Sequence, residues 1–134
     1  MATRSIIAKL DDKGIQAIYC HNDGYLSNNG KILDQHYHDK DKIDELLVEG
    51  DISSLRDTIA DTTFYMRDRG EKHKHATQLK DESALLKFAF ERCDAEVVYM
   101  FAFGSWYVYD NSNEIGNCSY QFIELEDALY VDII

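Results

Sequence analysis

The segment from Tyr19 to Tyr25 reads Tyr-Cys-His-Asn-Asp-Gly-Tyr and holds the first candidate site. It follows an apolar strand pattern, and loops at strand ends commonly carry function. His21 has the residue type of a general base, and Asp23 is placed to orient its ring. In the alternative, structural interpretation, Asp23 and Gly24 form a turn and His21 satisfies a backbone carbonyl. The spacing alone favours the structural interpretation.

A second candidate is the charged segment Arg67-Asp68-Arg69-Gly70-Glu71, which follows the strand-like residues Thr62 to Met66. Guanidinium groups bind a phosphate or carboxylate in bidentate geometry, so this segment predicts an anion site. An internal ion-pair network is an equally good interpretation, and both stay open. No catalytic residue is identified, and the predicted ligand-binding set consists of His21, Asp23, Tyr25, Arg67, Asp68, Arg69 and Glu71.

Two histidine pairs have the spacing that points side chains the same way on a strand, His36-x-His38 and His73-x-His75. Such pairs bind transition metals when a carboxylate lies nearby. Lys72 and Lys74 flank the second pair, and their positive charge opposes a cation. We therefore expect no metal and no other cofactor. Since no motif identifies a reaction, a binding protein is expected rather than an enzyme.

Charge divides the chain into two parts. The sequence has 14 Lys and Arg against 25 Asp and Glu, a net charge of −11. This acidity argues against wrapping nucleic acid, which requires clustered Lys and Arg. It predicts either a solvated surface that maintains solubility or a surface complementary to a basic partner. From Cys93 to the end there is no Lys, Arg or His, and the acidic residues there are Asp94, Glu96, Asp110, Glu114, Glu124, Glu126, Asp127 and Asp132.

Length and composition predict one domain, residues 1–134, with enough apolar residues for its own core. No apolar run approaches the roughly 20 residues that span a bilayer, and the N-terminus lacks a signal-peptide pattern. The cysteines Cys20, Cys93 and Cys118 are odd in number and form no CxxC pair, so neither a disulfide framework nor a zinc site is expected. Together these features favour a reducing, cytoplasmic location.

Periodicity predicts the elements that must position these residues. Residues 3–20 read as two strands around an Asp-Asp-Lys-Gly turn. Helices are predicted after caps at Ser27, at Asp39 or Asp41, and at Asp81. Residues 122–134 fit either a short helix or a final strand.

A second hairpin is predicted from residues 97–103 and 106–109. With Gly104-Ser105 as a type II′ turn, Phe103 lies opposite Trp106. Both faces are apolar, so this hairpin is either central in the sheet or carries an exposed aromatic patch. The fold class is therefore α+β, a single domain whose antiparallel sheet is built from an N-terminal and a C-terminal hairpin and packs against about three helices.

Four segments occur in order along the chain: Thr3-Arg4-Ser5, Tyr19 to Tyr25, Gly50 to Leu55, and Arg67 to Glu71. Together they resemble a group of small hypothetical proteins of tailed phages and other bacterial mobile elements. The group's first motif usually reads Tyr-Cys-His-Trp-Asp-Gly-Tyr-Pro, and this chain departs from it at Asn22 and Leu26. That group has no assigned reaction, so the resemblance implies a phage or prophage origin.

Two functions are expected from these patterns. The first is a phage-type inhibitor that binds a basic host protein, such as a nuclease or nucleic-acid-binding component of a defence system. It would act as an anti-CRISPR-like mimic of nucleic acid through its acidic residues after Cys93. The second is a small-ligand or nucleotide-binding protein, or an enzyme, that uses the His21 and Arg67 segments. A homo-oligomer through the hairpin at 99–109 is a third interpretation, and a membrane partner is not expected.

Overall fold

One mixed β-sheet forms the centre of the molecule. The computed structural model describes residues 3–65, 76–111 and 121–130. Across the sheet the strand order is β4-β3-β2-β1-β6-β7-β8, and β5 pairs with β2. The strands are β1 (Ser5–Asp11), β2 (Gly14–Cys20), β3 (Ile52–Ser54), β4 (Thr63–Phe64), β5 (Thr77–Leu79), β6 (Val97–Ala102), β7 (Ser105–Asp110) and β8 (Ile123–Glu124).

Four α-helices in the described part of the chain accompany the sheet. They are α1 (Lys31–His36), α2 (Lys40–Val48), α3 (Glu82–Lys87) and α4 (Leu125–Tyr130). A π-helical turn, Leu26–Gly30, leads into α1, and a second one, Phe88–Arg92, continues α3. None of the described helices has both the length and the apolar composition needed to cross a bilayer.

The predicted helix caps are confirmed at two of the three positions. The Asp39 side chain accepts a hydrogen bond from the backbone N–H of Asp41, and Asp81 accepts one from Ala84. Each carboxylate thereby satisfies an N–H group that the first helical turn leaves unpaired. Ser27 does not cap a helix, because the helical segment already begins at Leu26 and its first turn has no side-chain cap.

A single sheet with helices is confirmed, but the prediction of a purely antiparallel sheet built from two hairpins is wrong. Both hairpins exist as antiparallel pairs, β1 with β2 and β6 with β7. They are joined by a parallel pairing of β1 with β6, from Ser5 opposite Val97 to Lys9 opposite Phe101. Strands β2 and β3 also pair in parallel, and further strands extend the sheet. Parallel neighbours suit β1 and β6 because both strands are buried on both faces.

Helices cover both faces of the sheet. On the face we call the α1 face, Ile7 and Tyr99 pack in one core cluster with residues of α1, α2 and α4. On the opposite face, the α3 face, Ile6 and Val98 pack with Leu85 of α3 in a second cluster. Alternate residues of the same strands thus supply two separate cores, as the two-residue period of a β-strand requires.

Lys9 places a positive charge in the α1 face. Its side chain is only 7% exposed and forms salt bridges with Asp44 of α2 and, at 3.4 Å, with Asp11. Burial lowers the pKa of Lys9, but the hydrogen bonds and charges of Asp44 and Asp11 raise it by more, and the net pKa lies above its usual 10.5. Lys9 therefore stays charged and ties α2 to the central strand.

The turn between β6 and β7 differs from the predicted type II′ turn. Its two residues are Phe103 and Gly104, both with positive φ, 53° and 79°. This is the type I′ pattern, which matches the twist of the strands and places Phe101 rather than Phe103 opposite Trp106. Phe103 is left at the tip with 90% of its surface exposed. A bulky residue is strained in this left-handed region of φ.

We predict that Phe103→Asn stabilises the fold, because Asn tolerates positive φ and Asn-Gly is a favoured type I′ sequence. The free energy of unfolding, measured by urea denaturation, is expected to rise by about 1 kcal/mol. The matched control is Phe103→Leu, which keeps an apolar, strained residue and is expected to change stability by less than about 0.5 kcal/mol. Equal stability of the two variants would contradict the strain at Phe103.

Candidate functional site

The acidic residues after Cys93 that the structure describes lie at opposite ends of the sheet. Asp94 and Glu96 precede β6, and Asp110 lies opposite Val97 at the same end. Asp110 is buried, so it does not belong to an exposed partner-binding surface. Glu124 of β8 pairs with Tyr107 of β7, and Glu126 lines a cleft with Gly104. Both glutamates therefore lie towards the other end, with Asp127 next in sequence. Glu114 and Asp132 lie outside the described residues.

At the tip of the β6–β7 hairpin, carboxylates from three elements surround a shallow cleft. Asp34 comes from α1, Glu124 from β8 and Glu126 from α4, and the cleft has a volume of about 100 Å³. Together with Phe103 and Gly104 of the turn, we call these residues the hairpin-tip surface. The described residues that line the cleft include His38 but no Lys or Arg. These carboxylates make the cleft negative, and one of its lining residues, Gly104, is the chain neighbour of the exposed Phe103.

Trp106 holds α1 against the hairpin. Its indole N–H donates a buried hydrogen bond of 2.7 Å to the backbone oxygen of Tyr37, just after α1. The Tyr37 hydroxyl donates in turn to the backbone oxygen of Arg56 at 2.7 Å. This chain of contacts fixes where Asp34 lies relative to the turn. Sequence patterns do not point to Asp34, because its position depends on contacts between residues far apart in the chain.

The loop that carries His21, Asp23 and Tyr25 is held by backbone contacts on several sides. Gly24 N–H donates to the backbone oxygen of Thr3 at 2.8 Å, and the Tyr99 hydroxyl donates to the backbone oxygen of Gly24 at 2.6 Å. His21 N–H donates to Ile52. Asp23 is exposed and has a φ of 57°. Asp23 and Gly24 lie in an irregular loop rather than in the predicted hydrogen-bonded turn, and the backbone of this loop is tied to three distant segments.

His21 bonds to a tyrosine of the preceding strand. Its Nδ1 lies 2.7 Å from the hydroxyl of Tyr19, and the Arg4 guanidinium interacts with the same hydroxyl. Burial raises the pKa of Tyr19, and the charge of Arg4 offsets only part of that rise. Tyr19 is therefore a neutral hydroxyl at physiological pH and orients the imidazole. Arg4 and Tyr19 are not among the predicted site residues.

Beneath this loop lies a small buried polar cluster. The Asn29 side-chain amide donates to Ser5 Oγ at 3.2 Å and to Cys20 Sγ at 3.4 Å. Burial raises the pKa of the Cys20 thiol, with hydrogen bonds from Asn29 acting weakly against it. Cys20 is therefore a protonated packing residue, and the cluster supports the loop from below.

The predicted ligand-binding set is not fully placed. Arg67, Asp68, Arg69 and Glu71 lie outside the described residues, as do His73, His75 and Cys118. A site that joins them to His21 and Asp23 stays a prediction.

The first histidine pair has other partners. His36 Nε2 lies 3.4 Å from Asp57, and His38 bonds to the backbone oxygen of Asp34. Across residues 3–65, 76–111 and 121–130, no three His, Cys, Asp or Glu side chains are grouped as ligands of a metal ion would be.

No protein-family model matches the chain, and no curated protein or solved structure is significantly similar to it.

We predict that Gly24→Ala destabilises the protein, because an added Cβ would lie 2.6 Å from Ser5 Cβ and 2.8 Å from the Thr3 backbone oxygen. The expected loss in the free energy of unfolding is about 2 kcal/mol, measured by urea denaturation. The exposed Ser27→Ala in the same segment serves as control and is expected to change stability by less than about 0.5 kcal/mol. If both variants were equally stable, the loop would not be held as described.

Proposed function

We propose that the protein binds a basic partner protein through the hairpin-tip surface. The observation that carries this proposal is Phe103, an aromatic residue 90% exposed in a strained turn whose second residue, Gly104, lines an acidic cleft. An exposed aromatic side chain is the kind of residue that supplies most of the binding energy in protein interfaces. The carboxylates of the adjoining cleft favour partners that present Lys and Arg.

The backbone strain and the exposed apolar surface of Phe103 support a binding role. The same turn would form with less strain if Asn or Gly stood at this position, and a polar residue there would expose no apolar surface. Phe103 packs little against the rest of the molecule, so its side chain contributes little to the core. Strained, exposed residues of this kind are typical of functional positions. Binding explains a residue that the fold itself does not need.

Charge supports the class of partner. Glu124 and Glu126 are exposed, Asp34 is half-buried, and no basic residue among those described lines the cleft between them, His38 apart. A net charge of −11 attracts basic proteins over longer distances and repels nucleic acid. We infer that the partner uses a basic, nucleic-acid-binding surface, and that the hairpin-tip surface competes for it. A host nuclease or another defence component is a partner of this class.

We expect the protein to act by occupying the nucleic-acid-binding groove of its partner. A nuclease groove that binds phosphates through Lys and Arg would instead bind the carboxylates of the hairpin-tip surface, with Phe103 inserted into an apolar pocket or stacked on an arginine. Inhibition would then require no reaction in this protein. It would weaken with salt, because screening shortens the range of charge attraction to about 10 Å at 0.1 M.

We predict that substitutions at the hairpin-tip surface weaken partner binding while the fold stays intact. Immobilised wild-type protein is expected to capture a basic protein from host lysate at about 50 mM NaCl and to release it at higher salt. Phe103→Asn is expected to weaken binding at least about 30-fold, and E124Q combined with E126Q about tenfold, measured on the isolated partner.

The control is a double variant that also removes two carboxylates, at positions away from the cleft. Glu45 on α2 and Glu82 on α3 are exposed, and neither lines the cleft. E45Q combined with E82Q should bind the partner as wild type does, and wild-type protein should displace a labelled DNA duplex from that partner. Capture that is indifferent to salt, or equal binding by the Phe103→Asn variant, would refute the proposal.

A further inference from the structure

A groove on the α3 face shares no lining residue with the acidic cleft. It is a cavity of about 800 Å³ between β5 and the helical segment formed by α3 and its π-helical turn. Leu79, Ala84 and Phe88 supply its apolar lining. Phe88 begins the π-helical turn and is only half-buried, so part of its ring remains available to a ligand. The volume is that of a typical small-molecule site.

The groove continues towards the end of the sheet where β1 begins. A second cavity of about 520 Å³ is lined by Arg4, Tyr19, Asp51 and Asp94 and shares four lining residues with the first. The shared residues are Thr77, Phe88, Arg92 and Cys93. One end of the groove is therefore mainly apolar, and the other presents polar side chains that include the hydroxyl bonded to His21.

Arg92 lies where the apolar and polar ends of the groove meet, and its guanidinium is free to bind a ligand. Arg4 is already bound to Asp94 at 3.1 Å, whereas neither Arg92 nor Lys87 forms a salt bridge with any residue in the described part of the chain. Both side chains are exposed and line the larger cavity, together with the carboxylate of Glu91. A guanidinium beside an apolar groove fits a carboxylate or phosphate joined to an apolar body.

We propose that this groove binds a small amphipathic anion. Its apolar or aromatic part lies against Phe88 and Leu79, and its carboxylate or phosphate binds Arg92 with support from Lys87. This site shares no residue with the hairpin-tip surface and does not depend on the proposed basic partner. It also differs from the predicted set around His21, because the group that binds the anion is Arg92 of the π-helical turn.

The test uses 8-anilinonaphthalene-1-sulfonate, whose aromatic body and single anionic group match the proposed ligand chemistry. Its fluorescence on titration with native wild-type protein is expected to saturate at one molecule per chain. Arg92→Gln is expected to weaken binding about tenfold, as the loss of a charge-assisted hydrogen bond implies. Ala84→Leu, which fills the groove and keeps the charges, is expected to weaken it similarly.

Two control variants distinguish dye bound in the groove from dye bound elsewhere on the protein. Lys31→Gln removes a charge from an exposed residue of α1 on the opposite face and should leave the affinity within about twofold of wild type. Phe103→Asn should also bind the dye as wild type does, so a failure here is distinguishable from a failure of the hairpin-tip proposal. Near-ultraviolet circular dichroism must stay native in every variant, because partly unfolded proteins also bind this dye.

Displacement distinguishes the sources of the ligand. Competition by dodecanoate and not by adenosine monophosphate indicates an acyl carboxylate, and the reverse indicates a nucleotide. Absence of saturable binding, equal affinity of Arg92→Gln and wild type, or no displacement by either compound would overturn the proposal.

Discussion

The parallel pairing of β1 with β6 is the contact on which the rest of the structure depends. It pairs residues as distant in sequence as Ser5 and Val97 and makes one sheet of the two hairpins. Their burial on both faces makes this pair the centre of two separate cores. At one end, Glu96 N–H donates to the backbone oxygen of Arg4, so the strand start and the Arg4–Asp94 pair are fixed together. Without this pairing, neither candidate surface would have a defined position.

The direction of that pairing explains why acidic residues that are close in sequence separate in space. Because β6 runs parallel to β1 and β7 returns, Asp94 and Glu96 lie at one end of the sheet and the turn at Phe103 lies at the other. Strand β8 then pairs with β7 and carries Glu124 towards the turn. Among the described residues, the charge after Cys93 is therefore divided between two ends, and of these the turn end carries the exposed Phe103.

Sequence patterns predict the structural features that are formed by residues close together in the chain. The β1–β2 hairpin follows from alternation around a four-residue turn, and the caps at Asp39 and Asp81 follow from the first turn of each helix. The direction of the β1–β6 pairing does not follow, because apolar strands fit either orientation. A type II′ turn with glycine first misplaces Phe103, whereas the twist of the strands favours Gly104 at the second turn position.

The candidate sites show the same division between local and long-range information. A loop at Asp23 and Gly24 is predictable from residue type, but its contacts with Thr3 and Tyr99 are not. Asp34 joins the hairpin-tip surface through tertiary contacts of α1, which include the bond from Trp106 to the backbone of Tyr37 and the packing of Leu33 in the core. Arg92 has no distinguishing sequence signal, because arginine is ordinary on a helix. Arg92 is a candidate ligand-binding residue because it lines the groove, and no sequence pattern predicts that groove.

A titration of ¹⁵N-labelled protein with a deca-arginine peptide, followed by backbone amide chemical shifts, tests binding at the hairpin-tip surface most directly. Arginine is attracted by carboxylates and also stacks on aromatic rings, so this surface should bind it better than an acidic surface without an aromatic residue. Shift changes are expected to concentrate at Phe103, Gly104 and Glu126 and to be lost with Phe103→Asn. Equal changes at Asp94 and Glu96, or changes spread over all exposed carboxylates, would contradict a binding role for the hairpin-tip surface.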